Sequence, residues 1–259
     1  ITHGGDVRAS GGLKKDGTYA LDLGGHIAVD AARDLNLHGP AAEVLARMSG
    51  SAPYALTVRG AKGRLPDVTA NSDLTGLALD FPAPFNKPVG TPMPLRFAVR
   101  PSAAPGETGL ERADLTFGPV AAAYLLGYQP KAAPTVVRGA IGVNKPAELP
   151  SEGVIAAVDV EAFDADAWRA LVAQMRNKEA PAAAPPAAPN PILTQFLPNR
   201  FALHIGTLTL LKRHWDSVIV GASHADGKWQ ANIASNQVSG HVSWLPGPSK
   251  ESPGTLQAR

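Results

Sequence analysis

The sequence contains no cysteine, which excludes disulfide bonds, thiolate nucleophiles and zinc sites built from cysteine. It also has no excess of charge of one sign, since 24 lysine and arginine residues face 22 aspartate and glutamate residues. Binding to nucleic acid needs clustered positive charge, so no nucleic-acid surface is predicted. Long hydrophobic runs are missing too. The best one, Val120–Tyr128, is about half the ~20 residues of a membrane-spanning helix.

Glycine and proline, in contrast, are abundant. The 259 residues include 26 glycines and 24 prolines, which favours many short elements over long helices. Apolar residues make up 44% and charged residues 18%, values typical of a globular chain. The first residues have neither the basic nor the apolar region of a signal peptide, and the chain begins at Ile1. We therefore expect it to be a piece of a longer protein.

The stretch from Ser72 to Arg100 is the most informative part of the sequence. Apolar residues alternate at Leu77, Leu79 and Phe81, which is the period of a strand with two different faces. Five prolines then interrupt this pattern, because proline removes a backbone donor and fixes φ. Alternation resumes at Leu95, Phe97 and Val99. The pattern predicts a strand, a proline-rich excursion and a second strand.

The string from Ser72 to Leu95 reads SDLTGLALDFPAPFNKPVGTPMPL. It resembles the signature of the AsmA-like family, in the YhdP branch of large Gram-negative envelope proteins. A later Asp-x-Asp-x-Trp string extends the resemblance. The residues that carry it are Ser72, Asp73, Leu74, Gly76, Leu77, Pro82, Pro84, Lys87, Pro88, Asp164, Asp166 and Trp168.

This resemblance implies a mainly β fold: an elongated, twisted antiparallel sheet curled into an open apolar groove, with two short helices. It implies that the groove carries phospholipid between the inner and outer membranes and needs no cofactor, metal or catalytic residue. It further implies a periplasmic location, with contacts to both membranes and an inner-membrane anchor outside this piece.

Local signals divide the chain. Lys15-Asp16-Gly17 has the chemistry of a hairpin turn between strands. Helices are predicted near residues 41–48 and 164–178, the second with Asp164 as its N-cap and Phe163 against Trp168. The alanine- and proline-rich segment 180–191 predicts a linker. We expect residues 1–179 to form a β-rich groove segment and residues 192–259 a β meander that continues it, with a bulge at Gly206.

Alternation on these strands provides the candidate lipid-binding residues. They are Leu77, Leu79, Phe81, Leu95, Phe97, Val99, Phe201, Leu203, Ile205, Leu208, Leu210, Val218, Val220 and Ile233. The same alternation also fits a closed β-sandwich, either structural or binding a glycan or protein, because any sheet packed on a core has one apolar face. Trp215, Trp229 and Trp244 would be core residues or stacking surfaces in that alternative.

A group of four carboxylates and a set of three evenly spaced histidines could suggest catalysis or metal binding, but structural roles explain both better. The carboxylates Asp159, Glu161, Asp164 and Asp166 lack the spacing of a calcium loop, and helix capping plus one solvent-facing strand accounts for them. His204, His214 and His224 fall ten residues apart, which is also the length of a hairpin repeat. We predict no catalytic residue and no metal site.

Overall fold

The computed structural model describes residues 6–34, 40–61, 65–129, 132–179, 191–247 and 254–259. The predicted fold class is confirmed: 58% of the residues are in strands, and one open sheet is accompanied by four short helices. The strands are β1 (Val7–Leu13), β2 (Thr18–Ala28), β3 (Met48–Ala61), β4 (Asp67–Ser72), β5 (Leu77–Leu79), β6 (Leu95–Pro101), β7 (Leu110–Phe117), β8 (Val120–Gly127), β9 (Thr135–Val143), β10 (Gly153–Asp164), β11 (Arg200–Leu210), β12 (Arg213–Ala225), β13 (Lys228–Ala234), β14 (Ser239–Leu245) and β15 (Thr255–Ala258). The helices are α1 (Val29–Arg33), α2 (Pro40–Ala46), α3 (Ala165–Glu179) and α4 (Pro191–Thr194).

The two predicted helices correspond to α2 and α3, whereas α1 and α4 are single turns that the sequence did not predict. The predicted linker, apart from Pro191, lies outside the described residues. Strands on its two sides nevertheless belong to one sheet, because β10 pairs with β11.

Hydrogen bonding joins β1–β2–β3–β4–β6–β7–β8–β9–β10–β11–β12–β13–β14–β15 in that order, and β5 pairs separately with the start of β3. The two edge strands, β1 and β15, are the ends of this order, so the sheet stays open. The closed β-sandwich is therefore wrong for the described part of the chain, which forms one sheet rather than two packed ones.

Neighbouring strands are antiparallel as predicted except at β10, which is parallel to both β9 and β11. Parallel neighbours need a connection that returns to the starting end of the sheet. Residues 144–152 return the chain from β9 to β10, and the connection from β10 to β11 contains α3 and α4. The predicted hairpin at Gly17 is confirmed: its φ is 82°, and the Asp16 carboxylate accepts hydrogen bonds from the Thr18 amide and hydroxyl.

Successive residues of a strand point to opposite sides of the sheet, and paired residues on neighbouring strands point to the same side. Rows of paired residues therefore show the chemistry of each side. One row of paired residues crosses fourteen strands and is apolar throughout: Ala9, Leu23, Leu56, Ala70, Phe97, Leu115, Ala122, Ile141, Ala156, Phe201, Ala222, Ala231, Val242 and Ala258. We call the side of the sheet that carries this row the apolar face.

The adjacent row on the opposite side is mostly polar, and we call that side the polar face. Ten of its fourteen members are polar: Ser10, Asp22, Thr57, Thr69, Asp114, Arg200, Ser223, Gln230, Ser243 and Gln257. The other four are Ala98, Ala123, Ala140 and Ile155. The two faces therefore differ in chemistry at both edges of the sheet, whereas on β6 and on β8 to β10 both rows are apolar.

Residues 144–152 cover part of the polar face. The Arg138 guanidinium donates to the Pro150 carbonyl at 3.2 Å, and a Cβ added to Gly142 would lie 2.1 Å from the Lys145 carbonyl oxygen. Beneath this segment Ala123, Leu125 and Ala140 are at most 2% exposed. Small side chains let the returning segment approach the sheet closely.

Candidate functional site

The apolar face is the candidate site. Eleven of the predicted lipid-binding residues lie on its strands: Leu95, Phe97 and Val99 on β6, Phe201, Leu203, Ile205, Leu208 and Leu210 on β11, Val218 and Val220 on β12, and Ile233 on β13. The register brings the β11–β13 residues together, since Leu203 is paired with Val158 and Val220, and Val220 with Ile233.

Most side chains on this face are half-buried although the described strands form a single sheet. Phe97 is 38% exposed, and Leu23, Leu56, Leu115 and Leu203 have intermediate exposure. Side chains on adjacent strands shelter one another in this way because they lie about 5 Å apart on the same face. An apolar surface that continues across fourteen strands is unusual for a soluble protein unless something binds to it.

The structure places the other three candidates elsewhere. Leu77 and Leu79 are 4% and 3% exposed and lie in a core with Val29, Ala52 and Met93, and Phe81 packs against that core. They leave the main sheet because β4 pairs directly with β6, through Ser72 and Leu95, while β5 pairs only with the first residues of β3. Alternation showed that a strand was present but not which sheet it would join.

Sequence reasoning also left out residues that belong to this face. Leu23, Leu56 and Val58 contribute from β2 and β3, while Leu115, Phe117, Ile141 and Val158 contribute from β7, β9 and β10. The same two-residue alternation marks them in the sequence, so the signal was available.

On β10, β11 and β12 the spacing of the residues that point to the apolar face changes from two to three near one end of these strands. Pairing is interrupted at Glu161, Gly206 and Ser217, and beyond this point the residues of the second core recur after three positions instead of two. This core contains Val160 with Phe163, Ile205 with Leu208, and Val218 with Trp215. Ser217 has φ of 52°. The register is the same on both sides of Gly206, so the interruption is not the bulge that was predicted there. The interruption returns bulky side chains to the same side of the sheet.

Both cores lie at one end of the sheet, the end at which β4, β7 and β10 finish. We call it the lower end, and the opposite one the upper end. The first core joins α1, α2 and β5 to the lower end of the apolar face through Leu45, Met48, Leu95 and Phe117. The second leads to α3, because Phe163 stacks on Trp168 with ring centroids 6.4 Å apart. Helices and the proline-rich excursion therefore cover the lower end.

The signature residues build this lower end. The Asp164 carboxylate accepts from the Ala167 amide at 2.8 Å, which confirms the predicted N-cap. The Asp166 carboxylate accepts from the amides of Leu211 and Lys212 at 3.0 and 2.7 Å. These hydrogen bonds, with that from Lys212 the largest contribution, lower the pKa of Asp166. They also support a β11–β12 turn in which both residues have positive φ.

Lys87 is a buried signature residue with a structural position. It is 2% exposed, and its Nζ donates to the carbonyl oxygens of Leu77 at 2.5 Å and Pro88 at 3.4 Å. Burial lowers the pKa of the Lys87 ammonium, and the negative charge of Asp73 opposes that effect. Its backbone also exchanges two hydrogen bonds with Leu79. Lys87 thus fastens the proline-rich excursion to β5.

The three histidines of equal spacing do not meet. His204 lies on the polar face with its Nδ1 2.9 Å from the Asp159 carboxylate, His214 contacts the Thr209 hydroxyl at the lower end, and His224 stacks on Trp229 at the upper end. Asp159 also pairs with Lys145 at 2.8 Å; hydrogen bonds, that from Lys145 first, lower its pKa. Within the described ranges, no three histidine, aspartate or glutamate residues are grouped as a metal site.

Comparison with family models gives one match, described as YhdP protein, over residues 3–259. The chain belongs to the YhdP family. Comparisons with curated proteins and with solved structures return no match. The family consists of Gram-negative envelope proteins and is related to bridge-like lipid transport. None of the helices in the described part of this YhdP chain is long and apolar enough to cross a membrane.

Proposed function

We propose that this chain is a segment of a bridge-like protein that carries phospholipid between the inner and outer membranes along the apolar face, without catalysing a reaction. Such a protein would act in the periplasm and support outer-membrane lipid homeostasis and the permeability barrier. Residues 1–179 and 192–259 would be two parts of one groove, joined by residues 180–191.

The observation that carries this proposal is the unbroken apolar row across fourteen strands. Each acyl CH₂ group gains ~0.8 kcal/mol when it leaves water for an apolar surface. Adjacent strands are ~4.8 Å apart and offer equivalent side chains, so an acyl chain that moves from one strand to the next exchanges one apolar contact for another. A ladder of similar sites permits movement in a way that one deep pocket does not.

The polar face supports a passive role. Several of its ionisable side chains pair with one another: Arg112 and Arg100 contact Asp114 at 2.8 and 3.3 Å, and Arg138 pairs with Glu107. The four carboxylates of the sequence cluster do not act together. Asp159, Asp164 and Asp166 each make a separate structural contact, and Glu161 is exposed. Their arrangement offers no paired acid and base.

The test is native mass spectrometry of the gently purified chain, with phospholipid retained per chain as the measurement. Leu203→Asp places a carboxylate on the apolar face, where water can hydrate it when no lipid is bound, so we expect loss of lipid with a modest fall in melting temperature. Ala202→Asp, the matched control, places the same charge one residue away on the exposed polar face and should keep lipid. Absence of phospholipid from the parent chain, or equal lipid content in both variants, would refute the proposal.

A further inference from the structure

The upper and lower ends of the apolar face differ in chemistry. At the upper end several side chains combine an apolar body with a polar tip: Tyr19, Glu111, Tyr128, His224, Trp229 and Trp244. The register places them there, because Tyr19 pairs with Gly60 near the end of β3, and Trp229 pairs with both His224 and Trp244. At the lower end most members of the face have no polar side-chain atom, as at Ile27, Ala52, Leu95, Phe117, Val143 and Val218. Tyr54 and Ser72 are the exceptions among the paired residues.

The aromatic residues of the upper end form a connected group on β11 to β14. The rings of His224 and Trp229 stack with centroids 4.7 Å apart, and the ring centroid of Phe201 lies 5.8 Å from that of Trp229. Trp244, the cross-strand partner of Trp229, is 43% exposed. Tryptophan and histidine suit a boundary where one part of a molecule is apolar and the other is hydrated.

A second polar group lies at the same end on β7. Glu111 is 4% exposed and accepts a hydrogen bond from the Tyr128 hydroxyl; burial and this carboxylate raise the pKa of Tyr128 to about 12. Glu111, Ala113 and Leu115 lie on the apolar face of β7, and Glu111 is the polar residue at the upper end of this row. The hydrocarbon surface therefore stops at the upper end on β7 as well as on β12 to β14.

Two aromatic residues with polar tips lie nearer the lower end without forming a comparable boundary. Tyr54 lines an open cavity of about 600 Å³ that it shares with Asn71, Asp73 and Arg96. Trp215 packs in the second core, and its buried indole nitrogen has no hydrogen-bond partner in the described part of the chain. Helices and core thus cover the lower end, and polar tips border the upper end on β11 to β14. On β8 the upper part of the face is covered instead by the segment that contains α4, because the Tyr124 hydroxyl donates to the Phe196 carbonyl at 2.8 Å and the two rings lie 5.1 Å apart.

From these two observations, and resting on the proposed function, we infer that the upper end of the apolar face is the rim that receives the polar head group of a bound phospholipid, whose acyl chains point along the strands toward the closed lower end. The dimensions fit. β13 has seven residues and spans ~24 Å, whereas the hydrocarbon half of a bilayer is ~15 Å thick. An acyl chain fits between rim and lower end.

Photo-cross-linking of the unaltered chain tests this orientation. Two phosphatidylcholines are used, one with a diazirine near the terminal methyl group of an acyl chain and one with it in the head group, and mass spectrometry maps the modified residues. We expect tail adducts mainly on lower-end residues such as Phe117, Val143 and Ile233. Head-group adducts should concentrate on Tyr19, Tyr128, Trp229 and Trp244.

A reversed pattern, or the same distribution for both probes, would overturn the orientation while leaving lipid binding established. No adduct from either probe, together with no co-purified phospholipid, would remove the proposed function and this inference with it. A variant pair gives a further readout. Trp244→Leu should reduce the upper-end share of head-group adducts without loss of tail adducts, whereas Leu245→Ala, the neighbour on the polar face, should change neither distribution.

Discussion

The indole nitrogen of Trp168 donates a hydrogen bond to the carbonyl oxygen of Ala83 at 3.0 Å, which ties helix α3 to the proline-rich excursion 85 residues earlier in the chain. Phe85 meets the same indole edge-on at 5.8 Å, and Arg47 reaches Gln174 on α3 at 2.8 Å. Two separate parts of the family signature are therefore in contact. They close the lower end of the apolar face together.

We predict that Trp168→Phe destabilises the chain by ~1 kcal/mol, because a ring remains between Phe85 and Phe163 while the Ala83 carbonyl loses its donor. Chemical denaturation of the two proteins gives the difference in unfolding free energy. Val172→Ala on the same helix is the control, since Val172 is 48% exposed and a surface truncation changes stability by less than ~0.5 kcal/mol. Equal effects of the two substitutions would show that the Trp168 hydrogen bond is not structurally important.

We also predict opposite outcomes for two glycines on neighbouring strands. A Cβ at Gly206 would lie 2.5 Å from the Glu161 carbonyl oxygen, so Gly206→Ala must displace the backbone of β10 and should destabilise by ~1–3 kcal/mol. A Cβ at Gly221 meets no atom within 4 Å, and alanine restricts the unfolded chain, so Gly221→Ala should be neutral or stabilising by ~0.5 kcal/mol. Thermal unfolding measures both. A Gly206→Ala protein as stable as the parent would contradict the close approach of β10 and β11 at the interruption.

Local features of the fold were predictable because they depend on neighbouring residues. Alternation identified strands such as that of Phe201, Leu203 and Ile205, and Asp16-Gly17 identified a hairpin. The same alternation appears at Leu77 and Leu79 and at Phe97 and Val99, yet the first pair is in a core and the second on the apolar face. Periodicity reports that a strand has two faces. It does not report what covers them.

Features that depend on distant parts of the chain were not predictable. The parallel pairing of β10 follows from the paths of two connections, and the burial of Ala123 and Leu125 on the polar face follows from one of them. In the sequence, the three-residue spacing near Gly206 appears only as a change in the alternation of one strand. The pairing of β10, β11 and β12 shows that the same change occurs at Glu161 and Ser217. The face of the candidate site was therefore predictable strand by strand, and its continuity was not.

The final prediction concerns acid and the turn between β11 and β12. Hydrogen bonds from the amides of Lys212 and Leu211, helped by Arg169, lower the pKa of Asp166 in the folded chain. A carboxylate with a lowered folded-state pKa stabilises the fold above its unfolded-state value of ~4, and this contribution is lost as the pH falls through the folded-state pKa.

Asp166→Asn should therefore melt below the parent at neutral pH, since a neutral amide replaces the carboxylate that accepts both hydrogen bonds, and the difference should shrink as the pH falls below ~4. The measurement is the melting temperature of both proteins from neutral to acid pH. Asp164→Asn is the control: asparagine caps a helix about as well as aspartate, so its loss at neutral pH should be much smaller. A difference for Asp166→Asn that stays constant at every pH would mean that the ionised carboxylate does not hold the turn, whose two positive φ angles would then need another source of support.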